Sequence, residues 1–334
     1  MNFLNLRDMS NMDLILHIGH YKTGTTFIQY FLHKHRDILL KKYKLLYPLS
    51  GIPGNKEIFD QVLLAHHYSK SSGCDFDEVV NLLINEIASL EPLRVCISSE
   101  ELYAHNATVH LLERINYLFK KIIIIFYIIS QDIFVEKSCK ERLKNNKSKI
   151  TKNFRESIQD VFNLLKYDEI INNIKKVSHP DIQIVPRIYD RTLFPEGNVI
   201  LDFLSALGID EPEAMKYKIE MNPSLSHISA LALRKINEQF NLRNEERLKV
   251  IRYLLKLDEE GSGPLKTFLT LDERVEFLER FREANERLFR EWFNSENKFV
   301  LTQEEIEFYK EQDRIPKEEI ERLVEERYQK WLRM

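Results

Sequence analysis

The chain has 334 residues, 30% of them charged, and a formal net charge of −3 at pH 7. That length accommodates one large α/β domain or two smaller ones, since domains commonly hold about 100 to 200 residues, and the slightly acidic balance argues against wholesale nucleic-acid binding. Cys74, Cys96 and Cys139 are odd in number and far apart, which fits neither a disulfide framework nor a C-x-x-C metal site and points to a reducing compartment.

Residues 1–12 lack a basic segment followed by an apolar one, so no signal peptide is expected. The longest apolar run, Ile122 to Ile129, falls far short of the roughly 20 residues of a membrane span. The expectation is a soluble, cytoplasmic protein without a transmembrane segment.

Leu14-Ile15-Leu16 predicts a buried strand. It runs into His17-Ile18-Gly19-His20-Tyr21-Lys22-Thr23-Gly24-Thr25-Thr26, after which Phe27, Ile28, Phe31 and Leu32 fall on one face of a helix. Strand, tight loop and helix make the setting of a phosphate loop: backbone N–H groups and the helix dipole converge, Gly24 lets the backbone approach, and Lys22 adds a charge. This first helix is expected to end near Arg36-Asp37. A second apolar-periodic segment continues through Ile38, Leu39 and Leu45 to the Tyr47-Pro48 turn, and Ser50 to Asn55 read as a loop. Gln61 to Tyr68 predicts a helix carrying His66 and His67, whose adjacent positions face different ways and do not suit a shared metal.

Asp77 to Leu90 has the stripe of a helix that covers a sheet face. Leu93 to Ile97 predicts a strand running into Ser98-Ser99-Glu100-Glu101, and ligands of open α/β sheets gather at such strand ends. Leu111 to Phe119 reads as a helix, and Ile122 to Ile129 as a central parallel strand buried on both faces. Lys137 to Lys152 holds seven basic residues against only Glu141. It is either a solvated helix face and loop or an attraction for a multiply charged nucleotide or anionic acceptor. Phe154 to Ile174 reads as mostly helical with Tyr167-Asp168 inside it, and Ile182 to Arg191 as a strand with a polar tip. Asn198 caps a helix over Val199 to Leu207 that Gly208 stops. The alternation predicts a parallel sheet covered on both faces.

Beyond Glu211 strand signals vanish. Ser224-Leu225-Ser226 opens a helix through Ile236, Glu245 to Leu257 gives another, and Gly261 to Pro264 breaks the chain. Thr270 then opens one long helix to Trp292 with Asp272 and Glu273 at its positive end. Thr302 to Met334 reads as charged helices that pack either onto the domain or onto a partner.

Gly19-x-x-Lys22-Thr23-Gly24-Thr25-Thr26 departs from the kinase pattern G-x-x-x-x-G-K-[ST], because its lysine precedes the second glycine. It resembles the 5′-phosphosulfate loop, K-[ST]-G-[ST]-T, of sulfotransferases that use 3′-phosphoadenosine 5′-phosphosulfate (PAPS). The wider string H-I-G-x-x-K-T-G-T-T-x-x-Q, ending at Gln29, is similar to the opening of bacterial members, and the resemblance covers residues 13 to 300. It implies a P-loop-like three-layer α/β fold, a central parallel sheet flanked by helices plus a helical C-terminal extension. The corresponding divisions are a PAPS-binding core over 13–210, a helical part completing the domain over 211–300, and a charged helical tail over 301–334. The implied reaction moves a sulfuryl group in line from PAPS to a hydroxyl or amine of a carbohydrate or glycan, leaving 3′,5′-adenosine bisphosphate (PAP), with no metal.

By the same resemblance Lys22 stabilises the leaving oxygen, while Thr23, Gly24, Thr25 and Thr26 hold the 5′-phosphate. Ser138 matches the serine that meets the 3′-phosphate. The arginine expected eight residues earlier is replaced by Ser130, which leaves Lys137, Lys140 or Arg142 to supply the charge. Tyr189, followed by Asp190, matches the tyrosine near the adenine. Glu100, at the end of its strand, is the implied general base, with a pKa raised by burial. Glu101 competes for that role, and Glu100 alternatively caps the next helix or pairs with Lys22. His20 and the loop after Tyr47-Pro48 are candidates to border the acceptor. Asn222-Pro223-Ser224 and Asn285 also match bacterial members, as structure. Two other readings stay open: a non-catalytic nucleotide or phosphate-binding protein of the same fold, and a P-loop kinase. The C-terminal helices are a candidate surface for a homo-oligomer.

Overall fold

The computed structural model describes residues 11–54, 58–144, 162–210 and 224–334. The basic residues from Lys147 to Lys152, the start of the expected helix at Phe154 and the Asn222-Pro223 pair lie outside them. The chain divides into two compact units, Met1–Ile129 with Tyr167–Ile219, and Ser130–Lys166 with Glu220–Met334.

The first unit is built on five parallel strands: β1 (Asp13–His17), β2 (Leu45–Leu46), β3 (Arg94–Ser98), β4 (Lys121–Ile128) and β5 (Ile182–Ile188). Their order is β2-β3-β1-β4-β5. Register pairs Ile15 with Cys96 on one side and with Ile123 on the other. Because side chains alternate across a strand, Ile15, Cys96, Ile125 and Tyr127 share a face, packed against Ile28, Phe31 and Leu32 of helix α1 (Thr25–Lys34) and Phe203 of a later helix. Leu14, Leu16, Val95, Ile97, Ile122, Ile124 and Phe126, from the alternate positions, are equally buried. Both faces of the sheet are therefore covered, and the unit is the expected three-layer α/β fold.

Where the elements differ from sequence expectation, a local cause is visible. The helix after α1 is α2 (Arg36–Tyr43), separated from it by His35. Lys44 adopts a left-handed φ of 52°, which stops α2, so Leu45-Leu46 becomes an edge strand against β3 rather than more helix. The segment holding the paired histidines is a short turn at Val62–Leu64 followed by α3 (His66–Ser72). Next come α4 (Phe76–Leu90) and α5 (Ala107–Ile115). Asp75 caps α4 by accepting from the amides of Asp77 and Glu78.

The second unit is helical. It holds α6 (Gln131–Lys144), then, after α7 (Tyr167–Ile174) and α8 (Val199–Ala206) of the sheet unit, α9 (His227–Gln239) through α14. Asn198 caps α8 at 2.8 Å from the Ile200 amide, as expected. The helix α10 (Asn244–Glu260) is continuous, whereas the long helix expected from Thr270 is two, α11 (Leu271–Glu279) and α12 (Arg282–Phe293). The Thr270/Glu273 capping box is present. The break falls at Phe281, which is buried against Phe277 and Phe162 with ring centroids 5.3 and 4.9 Å away. The tail forms α13 (Gln303–Asp313) and α14 (Lys317–Leu332). Of the two placements considered, α14 packs onto its own unit: Tyr328 joins the core of α9 and α10, and Arg327 donates to Asp258 at 2.8 Å. No helix among the described residues is long and apolar enough to cross a membrane.

Candidate functional site

The chain leaves β1 toward the β2 edge, returns to β3, and then crosses to β4 on the other side of β1. Loops diverge at such a reversal, and the crevice lies outside the carboxyl ends of the strands. The loop after β1 and Ser98–Glu101 after β3 both emerge there.

The loop is fastened before it opens. The amides of Ile18 and His20 donate to the carbonyls of Ile125 and Tyr127 at 3.1 and 3.3 Å, and the Tyr127 amide donates to Gly19 at 2.7 Å. The Thr23 hydroxyl donates to the His20 carbonyl at 2.5 Å, so this fully buried side chain shapes the turn. Lys22 (φ 65°) and Gly24 (φ 78°) are both left-handed. Gly24 then serves as N-cap of α1, with no side-chain cap and no acidic residue in the first turn. Among the described residues the amides of Thr23, Gly24, Thr25 and Thr26 donate to no protein acceptor. Consecutive open N–H groups at the positive end of a helix form a concave anion site.

Two glycines admit their neighbours closely. A Cβ on Gly19 would stand 3.3 Å from the Cα of Glu100, and one on Gly24 would stand 3.1 Å from Val199 and 3.3 Å from the Tyr189 ring. Of the residues singled out from sequence, Lys22, Thr23, Gly24, Thr25, Thr26, Glu100 and Tyr189 are thus brought to one region of the sheet unit. Asp190 is used locally, accepting from the Thr192 amide at 2.9 Å. Ser138 is buried in α6 of the helical unit. On the same helix burial lowers the Lys140 ammonium to about 8, against the pull of Glu136. Asn285 exchanges hydrogen bonds with Gln131 at 2.7 and 3.1 Å, a structural pairing.

The two competing glutamates have different partners. Glu100 Oε2 accepts from the Thr25 hydroxyl at 2.6 Å, so its carboxylate stands at the start of α1. The cap of the short helix at Glu100–Leu102 is Ser99. Glu101 accepts from the Tyr21 hydroxyl, and its Oε2 lies 3.0 Å from His67 Nε2. Burial, then the charges of Glu101 and Glu100, raise the Tyr21 phenol far above its usual range. His66 turns the other way, toward Phe76 and His110. His20 is fully buried, its ring 4.5 Å from Tyr103 and 5.7 Å from Tyr167.

Sequence reasoning missed Asp60. The Gln61 amide donates to Ser98 O at 3.2 Å, and the Ser98 amide returns a bond to Gln61 Oε1 at 2.8 Å, which sews the Asp60 segment to the end of β3. Burial and the Glu100 charge push Asp60 up to about 7. Arg187 was also missed: it is paired with Tyr127 in the sheet register and grips Asp202 with two nitrogens.

His17, the last residue of β1, anchors the loop from below. Its Nδ1 lies 2.7 Å from Ser98 Oγ, its Nε2 has no partner, and Phe203 and Tyr127 crowd its ring. Burial lowers its pKa from 6.5 to about 3. The folded protein keeps this ring neutral while the unfolded chain protonates it, so stability is lost as pH falls below 6.5. The loss is about 1.4 kcal/mol per pH unit, or about 2 kcal/mol by pH 5. Asp60, held at about 7 in the folded protein, contributes with the opposite sign over the same range. The His17 share is therefore read as the difference between wild type and His17→Asn in denaturant unfolding at pH 7.5 and 5; the same pH dependence in both proteins would contradict it.

No family model matches the chain. A protein of Archaeoglobus fulgidus, described as an uncharacterized protein, is 54% identical over 211 residues, which are 63% of this chain and 56% of that protein. The chain thus spans little more than half the length of this relative.

Proposed function

We propose that the chain is a sulfotransferase that moves a sulfuryl group from PAPS to an acceptor, with a carbohydrate or glycan as the acceptor class. The observation that carries this reading is the set of four open amides from Thr23 to Thr26, on a loop whose lysine precedes its second glycine. The fit to the donor rests on the same feature: the 5′-phosphate needs converging N–H groups and a side-chain-free approach, and Gly24 supplies the second. When bound, PAPS supplies an activated sulfuryl group. The protein's part is to hold the 5′-phosphate on the loop amides and to meet charge on the departing oxygen with Lys22. Tyr189, against Gly24, is the residue proposed to border the adenine, and Glu100 the one to accept the acceptor's proton.

Calorimetry with PAP and with ATP tests the donor. Micromolar PAP binding that is indifferent to Mg²⁺, with ATP at least tenfold weaker, is expected; ATP binding that requires Mg²⁺ would favour a kinase. Glu100→Gln should cost about 10²- to 10⁴-fold in turnover with PAP affinity nearly kept. Should PAP bind and no sulfuryl transfer occur to any acceptor, the non-catalytic reading would replace this one.

A further inference from the structure

The helical unit holds an amine whose nearby acids are committed to other cations. Lys140 follows Glu136 by one turn of α6, and its Nζ stands 6.0 Å from the centre of the Phe268 ring. That is the outer limit of a cation–π contact, so the ring removes water from the ammonium more than it stabilises the charge. His227 packs edge-on against the same ring with centroids 4.6 Å apart, and burial keeps its imidazole neutral near pH 7. The acids that act on Lys140 are Glu136 and Asp258. Glu136 accepts from Arg274, Thr267 and the Phe268 and Leu269 amides, and Asp258 accepts from Arg327, Ser226 and Ser229. Two cations also face Lys140: Lys144, one turn further along α6, and Lys266, on the segment that the Glu136 bonds tie to this helix. Lys144 keeps only a loose contact with Glu141 at 3.8 Å, and Lys266 donates to the neutral Ser262 hydroxyl at 2.7 Å. Burial, with the push of Lys144 and Lys266, outweighs the pull of Glu136 and Asp258 and lowers Lys140 to about 8. Lys140 is half-buried rather than sealed, which leaves it open to a small reagent.

We propose that Lys140 is a site of Nε-acylation by mixed anhydrides of a carboxylic acid and phosphate, with Lys144 and Lys266 drawing in the phosphate and Lys140 taking the acyl group. A desolvated lysine beside other cations is an activated nucleophile, and the same cations favour a reagent that carries negative charge. The free amine forms a bond to the carbonyl carbon. The C–O bond to phosphate breaks, its electron pair leaves on the phosphate, and one of the two N–H protons passes to water. The product amide is neutral, which ends the repulsion among the three lysines. No step depends on the sulfotransferase reading, so the two stand or fall separately.

The full wild-type chain, treated with a low concentration of isotope-labelled acetyl phosphate and read by peptide mass spectrometry, tests this. Lys256 is the reference, an exposed lysine of the same unit. At pH 7.5 Lys140 should react about tenfold faster than Lys256, because its larger neutral fraction is only partly offset by weaker basicity. Its rate should level off above about 8, the value to which it is lowered, while the Lys256 rate keeps climbing. Replacing both neighbours, Lys144→Met with Lys266→Met, should slow Lys140 at least threefold and leave Lys256 unchanged. With p-nitrophenyl acetate, which carries no phosphate, the preference for Lys140 should persist but shrink. A Lys140 that reacts no faster than Lys256 with acetyl phosphate overturns the inference. An unchanged Lys140 rate in the double variant, or an equal preference with the uncharged ester, overturns the part given to Lys144 and Lys266.

Discussion

Lys22→Ala is expected to lower sulfuryl transfer by about 10²- to 10³-fold, the scale found when one preorganised group facing a developing oxyanion is removed. The loss should fall mostly on kcat. Charge on the bridging oxygen is small in the bound donor and large in the transition state, so a group placed against it acts by differential binding. PAP affinity should therefore decline by much less, because the amides from Thr23 to Thr26 remain. Alanine is the informative replacement. Lys22 sits at φ 65°, where any residue with a Cβ is disfavoured, so alanine keeps the backbone cost while removing the charge. Glycine would relieve both at once and blur the result. Rates with labelled donor, alongside PAP calorimetry on the same protein, give the two numbers. A Lys22→Ala protein with undiminished kcat would remove the lysine from the chemistry and with it the proposed mechanism.

The legible parts of this site were those encoded by local sequence. Leu14 to Thr26 carries its own strand, turn and helix signals, and Gly24 marks a left-handed position that a tight approach requires. Glu100 was placed at a strand end by the same local logic. What separates it from Glu101 is long-range: Thr25 lies 75 residues from Glu100, and no periodicity records that bond. Asp60 was invisible for the same reason. Its segment has no strand or helix pattern, and only the Gln61–Ser98 bonds bring it to β3. The edge strand β2 was hidden because Leu45 and Leu46 continue the apolar spacing of α2, while the signal that ends that helix is a left-handed lysine, a residue type that does not announce such a turn. Phe281 likewise fits the apolar stripe of an unbroken helix, and its packing partners are what interrupt it.

The helical unit offers the largest stability effect, at a residue no sequence pattern singled out. Arg274 is 1% exposed. It donates to Asp132 and, at 2.7 and 2.9 Å, to Glu136 and Thr267, and the Tyr309 ring covers its guanidinium at 4.0 Å. Glu136 is shared further, accepting from the Phe268 and Leu269 amides at 3.1 and 3.3 Å. Burial pushes the Glu136 carboxyl up, and His227, Arg274 and Thr267 more than offset that, so it is held below its usual value. Arg274→Met keeps length and apolar bulk but leaves two buried carboxylates without their cation, and breaking a buried pair in this one-sided way costs about 3–5 kcal/mol. Urea unfolding of the full chain should show the transition of this unit shifted to lower denaturant. Arg280→Met, which removes an exposed partner of Glu276, should leave the curve in place. Adding Asp132→Asn and Glu136→Gln to Arg274→Met should recover part of the loss, because the stranded charges are then gone. If Arg274→Met unfolds at the wild-type midpoint, the network is incidental to stability, and the packing of α6 against α11 rests on its apolar contacts alone.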